Sequence, residues 1–253
     1  MPPFSGAAPN VNFESTLPFG TPDLMRVSDF QRYLDELVLT ERSEGVPGFL
    51  ASLSPSLMMD LQRVEQSGQP ADVLVVIAAS LRHGHALAVH LQSGDKVLPL
   101  TVFPAQQLAH CPVPLEELLG GRLSDLRVMH VEPAVLRPPG DAQASLVGDT
   151  HLYHPLPQLT WDMAMRGARD ELLPEIAGQA AYRISPGTDL RNLGLSGTLL
   201  AAVQRLQRQS INLRDLAEWP GFDRVRAARL LNGLYLQAGL IVSRTHPAAT
   251  GGR

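Results

Sequence analysis

From Leu199 to Thr245 the apolar residues recur at helical spacing, interrupted by one strong break, and this stretch constrains the fold more than any other. Leu199, Val203 and Leu206 follow intervals of four and three, so they share one helix face. Leu213, Leu216 and Ala217 repeat the pattern over a short second helix. Asn212 stands just before it as an N-cap, and Asp215 lies in its first turn, where the positive end of the helix favours an acid. Pro220-Gly221 then breaks the chain. Asp223 caps a longer helix that turns Ala227, Leu230, Leu231, Leu234 and Ala238 inward. Gly239 is expected to close it as the left-handed residue. Leu240, Ile241 and Val242 read as a short strand.

Helix, turn, helix and strand in this order, carried by LRDLAEWPGFDRVRAARLLNGLYLQAGLIVSR, resemble the winged helix-turn-helix family. The resemblance is confined to the C-terminal part of the chain. It implies a module whose second helix enters a DNA major groove or docks a protein. On that basis Arg224, Arg226 and Arg229 are the candidate phosphate and base contacts. Asn232 lies further along the same helix, and Arg244 would reach the backbone from the wing. One departure is the long turn, in which Trp219 and Phe222 add apolar bulk that suits packing against a neighbour.

Charge is unevenly spread. Residues 191–253 hold nine arginines against Asp215, Glu218 and Asp223, a net +6, while the rest of the chain carries −10. Such asymmetry marks a polyanion-binding segment or two parts that attract each other. Lys96 is the only lysine. It sits in SGDKV, so no phosphate-binding GxxxxGK[ST] loop exists, and lysine-based covalent chemistry would have to use that one residue.

Before this module the pattern predicts an α+β domain with a mainly antiparallel sheet. Residues 1–22 hold five prolines and read as a flexible arm. Helices are expected at 28–40, with Phe30, Leu34 and Leu37 inward, and from Pro55, with Ser54 as its cap. DVLVVIAA at 72–79 is a continuous apolar run and is expected to be a strand buried on both faces. HALAVHLQ and KVLPLTVF flank Ser93-Gly94-Asp95 as a hairpin. Short helices are expected at 104–110 and 114–119, a strand at 126–134, a helix at 159–173 and a strand at 180–184. RPPGDAQASLVGDT reads as a long loop, of a length that suits a mobile flap. The resulting division is an arm at 1–22, an α+β domain at 23–188, a winged-helix domain at 189–246 and a tail at 247–253.

Chemical signatures are sparse. His83 and His85, two apart on an expected strand, would face the same way, but HxH and the HxxH of His151 and His154 lack matching Cys or acidic clusters. No metal and no cofactor is expected. Ser196 in GLSGT lacks the final glycine of a nucleophile elbow and is expected to cap the following helix. Cys111, the only cysteine, excludes an internal disulfide, suits a reducing cytoplasm and is expected to be a buried inert thiol. No apolar run approaches a membrane span, and MPPFSGAAPN lacks the features of a secretory leader. No catalytic residue is assigned. The leading expectation is a cytoplasmic regulator whose basic module binds DNA. The alternative is a non-enzymatic adaptor that docks an acidic protein surface, and an enzyme with a hidden site comes third. Homodimerisation stays open.

Overall fold

The computed structural model describes residues 24–44, 54–66 and 72–250. The expected arm at 1–22 lies outside the described residues. Helix α1 (Val27–Glu44) and helix α2 (Pro55–Gln66) open the chain. Ser54 Oγ accepts the amide of Leu57 at 3.3 Å, as a cap before an N-terminal proline should. Phe30 and Leu57 are the buried anchors of these helices.

The run DVLVVIAA is not a strand. It forms most of helix α3 (Val73–His83), in which Val73 to Ser80 are all buried. Asp72 accepts the Leu74 amide at 2.8 Å as N-cap, and Gly84 ends the helix at φ 67°. A helix enclosed on every side is apolar all round, so its sequence matches that of a buried strand. The discriminating signals were the flanking Asp72 and Gly84.

Strands β1 (Leu87–Ser93) and β2 (Lys96–Phe103) form the expected hairpin, with Ser93 opposite Lys96 and a two-residue turn at Gly94-Asp95. Gly94 supplies the positive φ, 63°, that this turn needs. The short helix expected at 104–110 is instead a turn followed by strand β3 (Leu108–His110), which pairs with β2. Helix α4 (Leu115–Gly120) follows, and strands β4 (Arg127–Pro133) and β5 (Tyr153–Pro155) complete an antiparallel sheet of order β4-β1-β2-β3-β5. Between β1 and β4 the register shifts after His90, so Met129 is an extra residue that kinks the edge strand.

Alternation divides the sheet. Leu87, Val89, Leu91, Leu98, Leu100 and Val102 join the core with α3 and with helix α5 (Leu156–Met165). Each such side chain contributes about 1.5–3 kcal/mol by leaving water. The opposite face carries the cross-strand row Glu132, Ala88, Thr101, His110 and Tyr153. The 134–152 loop is tied down beside that row. Tyr153 donates its hydroxyl to Arg137 O at 2.6 Å and accepts from Gly148 N at 3.0 Å.

Helix α5 starts three residues before the expected Leu159 and stops at Met165, because Gly167 turns away at φ 89°. Strand β6 (Ala181–Ile184), helices α6 (Gly197–Arg208), α7 (Leu213–Ala217) and α8 (Arg224–Leu236), and strand β7 (Leu240–Ser243) follow. Asn212 and Asp223 cap α7 and α8 through their side chains, accepting from Asp215 N and Arg226 N. Ser196 occupies the N-cap position of α6, although its hydroxyl makes no cap bond. At the end of α8 the left-handed residue is Ala238, at φ 51°, not Gly239. Gly239 is required for a different reason, since a Cβ there would collide with Thr188.

Strand β6 pairs antiparallel with β7, and Tyr182 at its centre exchanges backbone hydrogen bonds with Ile211 at 2.7 and 3.0 Å. A strand that precedes α6 therefore stands between the strand after α8 and the link between α6 and α7. The boundary expected between 188 and 189 separates two strands that hydrogen-bond to each other. Across the same boundary Trp161 of α5 packs on Gly233 of α8, where a Cβ would come within 2.8 Å of the indole.

Candidate partner-binding surface

Helix α8 carries four of the five residues singled out for contact, and its neighbours treat them differently. Asn232 is fully buried. Its Oδ1 accepts the Leu173 amide at 2.9 Å and its Nδ2 donates to Glu171 O at 2.8 Å, so it splices α8 to the segment after α5. Arg229 is half-buried. Its Nε and Nη2 both donate to Asp170 Oδ1, at 2.9 and 2.6 Å, and its guanidinium fills the space that a side chain at Gly167 would need. Arg244 is exposed, but its Nη1 and Nη2 donate to the carbonyls of Ala177 and Glu175 at 2.9 and 3.3 Å. These three residues bind the protein's own loops.

Arg224 and Arg226 sit on the first turn of α8, beyond the reach of α5, and are exposed. Arg226 is held in place without a carboxylate. Its Nη1 donates to Gly221 O at 2.7 Å, its Nη2 to Thr198 Oγ1 at 3.2 Å, and its guanidinium lies 5.2 Å from the Phe222 ring centroid. Thr198 is the link to α6. Seven residues on, about two turns and 10 Å along the same face, the Arg205 guanidinium stacks 4.2 Å above the Trp219 ring. Arg208 follows one turn later, exposed. Arg183 of β6 reaches Gln207 O, near the end of α6, at 3.4 Å. Arg183, Arg208, Arg205 and Arg226 thus form a ridge along α6, with Arg224 at its end. None of the five has a carboxylate partner among the described residues.

The aromatic residues of the long turn have a local role. Trp219 is buried in the core under Arg205, and Phe222 packs partly against that core under Arg226. Stacking on a ring orients an arginine and leaves its charge unneutralised. In the sequence Arg205 and Arg208 count only toward the net charge of residues 191–253. Their signal was present, since both lie off the Leu199, Val203, Leu206 stripe.

The histidine pairs singled out in the sequence do not converge. His83 ends α3 and pairs through Nε2 with Asp60 Oδ2 of α2 at 2.8 Å, while His85 lies in the loop beyond, so the two do not share a strand face. His110 and His154 occupy adjacent strands but opposite sheet faces, by register. Burial pushes the pKa of both below the ordinary histidine value, with His154 and His151 also lowering that of His110. His90 and His130 flank Glu132, with His90 Nε2 2.8 Å and His130 Nε2 3.9 Å from its carboxylate. Burial pushes Glu132 up, but the His90 hydrogen bond and the two imidazoles hold it below the usual carboxylate range. No group of three or more His, Cys, Asp or Glu side chains among the described residues is placed to hold a metal ion. Cys111 is fully buried, and burial pushes its thiol pKa up, so the reactive thiolate is disfavoured. No helix among the described residues is long and apolar enough to cross a membrane.

Comparison with family models, with curated proteins and with solved structures finds no match to this chain.

Proposed function

We propose that the protein is a non-enzymatic interaction protein that docks an acidic protein surface through the arginine ridge of its C-terminal unit. The observation that carries this reading is the contrast within the basic set. The α8 face bearing Arg229 and Asn232 is engaged with α5 and the 166–173 segment, whereas Arg183, Arg205, Arg208 and Arg226 stand open along α6. Arginines held by rings and backbone carbonyls have already lost part of their side-chain freedom, so less ordering is left for a partner to impose. Open cations whose guanidinium groups are not paired with a carboxylate attract an acidic surface over roughly a Debye length, about 8 Å at physiological salt.

On this proposal α6, α7, α8 and β7 form a winged-helix relative whose second wing strand, β6, comes from before the first helix. A second reading, a DNA-binding regulator in a reducing cytoplasm, is favoured by the +6 charge of residues 191–253. It requires either that α8 leave its packing against Trp161 or that the ridge grip only phosphates, which carries no sequence information.

Fluorescence anisotropy at physiological salt separates the two. Glutamate-rich labelled peptides should bind, weaken as salt rises and be released by the double change Arg205→Ala and Arg226→Ala. A random-sequence duplex selection should enrich no motif. Enrichment of a motif whose binding is lost with Arg229→Ala would reverse the assignment in favour of DNA.

A further inference from the structure

A cavity of about 880 Å³ lies at the junction of α3, the start of α5, the 189–193 segment and the end of α8. Its volume is in the range of small-molecule sites. No residue of the arginine ridge lines it.

Two independent features single it out. The first is backbone conformation. Among the described residues only two besides glycine have positive φ, Gln107 at 55° and Ala238 at 51°, and both are on this wall. Each closes a turn that shapes it. Gln107 O accepts the Leu156 amide at 2.9 Å where α5 begins, and the Ala238 amide donates to Tyr235 O at 2.9 Å where α8 ends. Unfavourable backbone kept at two points around one cavity directs attention to what the cavity holds.

The second feature is the polarity of the wall. Gln107 Nε2 donates to Pro104 O at 2.6 Å, Gln237 Nε2 to Pro157 O at 3.0 Å, and Gln158 Nε2 to Asp162 Oδ2 at 3.0 Å. Carbonyls and carboxylates only accept, so these amide orientations are forced. All three glutamines keep their acceptor oxygens, Gln107 and Gln158 each keep one further N–H, and Gln237 has both of its N–H groups engaged. The charged groups on the wall are already neutralised: Arg82 pairs with Glu175 at 2.7 Å, and Asp189 with Arg191 at 2.7 Å. Leu81, Leu193, Leu236 and Leu240 supply the apolar lining.

We propose that this cavity binds an uncharged amphipathic small molecule whose polar end carries several hydroxyl or amide donors. The apolar body lies against the four leucines and the donors meet the glutamine oxygens. An anion finds no uncommitted cation, and a cation no uncommitted carboxylate. Because Gln237 also joins α8 to α5, a bound molecule bridges the two elements whose packing keeps the α8 face covered.

The test uses methyl-resolved NMR on the full chain, with octyl β-D-glucopyranoside below its micelle concentration as probe and octanoate and glucose as controls. The glucoside should give saturable shifts at the methyls of Leu81, Leu193, Leu236 and Leu240. Octanoate and glucose should give none. Asn192, exposed at the cavity, can be changed to Trp to fill it, and this should abolish the shifts while leaving the methyls of β1 and β2 in place. Gln158→Leu should weaken binding several-fold in a chain with an unchanged spectrum. Equal shifts with octanoate, shifts scattered over surface methyls, or no shift at these leucines would overturn the proposal.

Discussion

Arg226 and Arg229 lie three residues apart on one helix and have opposite surroundings. Arg229 faces the α5 side, where Asp170 and Gly167 enclose its guanidinium, and Asn232 one turn further is sealed in. Arg226 projects from the first turn, past the end of that contact, and is held against Phe222 and Thr198 in the open. The difference teaches that polarity on a helix does not identify its solvent face. A polar residue can also mark where a helix is spliced to a loop, provided every donor and acceptor is met.

The largest effects should come from the covered side. Asn232→Ala removes partners from the Leu173 amide and the Glu171 carbonyl in a fully buried place, and should cost about 3 kcal/mol of stability. Gly233→Ala pushes a methyl into the buried indole of Trp161 and should cost about 2 kcal/mol. Both are read from denaturant midpoints. If either change were neutral, the α5–α8 packing would be loose and the comparison would fail.

The sheet face gives a smaller loss, controlled by pH. His110 has its folded pKa below the ordinary 6.5 because of burial and the neighbouring histidines. The unfolded chain therefore takes up the proton first. Stability is full above 6.5 and declines as pH falls below it toward the folded pKa. His110→Asn should flatten that decline while leaving the binding of acidic peptides unaltered.

At the end of α8, Ala238→Gly should stabilise the protein by about 1 kcal/mol, since glycine adopts the left-handed region without the Cβ penalty. The smallest stability effects belong to the open side. Arg205→Ala should cost about 0.5 kcal/mol, the value of an exposed cation stacked on a ring, yet the same residue should matter strongly for the partner. A stability loss there as large as at Asn232 would mean that the ridge is structural.

How much of this was legible beforehand depends on whether a residue's role is local. The caps Asn212 and Asp223, the Gly94-Asp95 hairpin and the helices from α6 to α8 follow from spacing and short-range hydrogen bonding, and the sequence contains those directly. Helix α3 has the sequence of a buried strand because burial on all sides erases periodicity. Strand β3 is not legible in the sequence, because three residues that pair with strands β2 and β5 leave no local signature. Tyr182 was placed on a strand, but not its pairing with Ile211 and β7, which lie far along the chain. For the candidate surface, Arg224 and Arg226 are exposed, as their place off the leucine stripe of α8 suggests. Asn232 and Arg229 look like exposed polar positions on a helical wheel, and only the loop that follows α5 makes them interior contacts. Arg205 and Arg208 lie off the apolar stripe of α6, which puts them at the surface, but only the fold shows Trp219 beneath Arg205 and aligns both with Arg226.

The central claim is that the α8 face stays packed in the native chain while the α6 ridge is open. Native-state amide hydrogen exchange of the unmodified protein tests it most directly. Amides of 227–236 should exchange only through global unfolding, with the same opening free energy as those of β1 and β2. Exchange of α8 through a local opening far below the global value, with β1 and β2 still protected, would contradict the account and return α8 to the solvent-facing role.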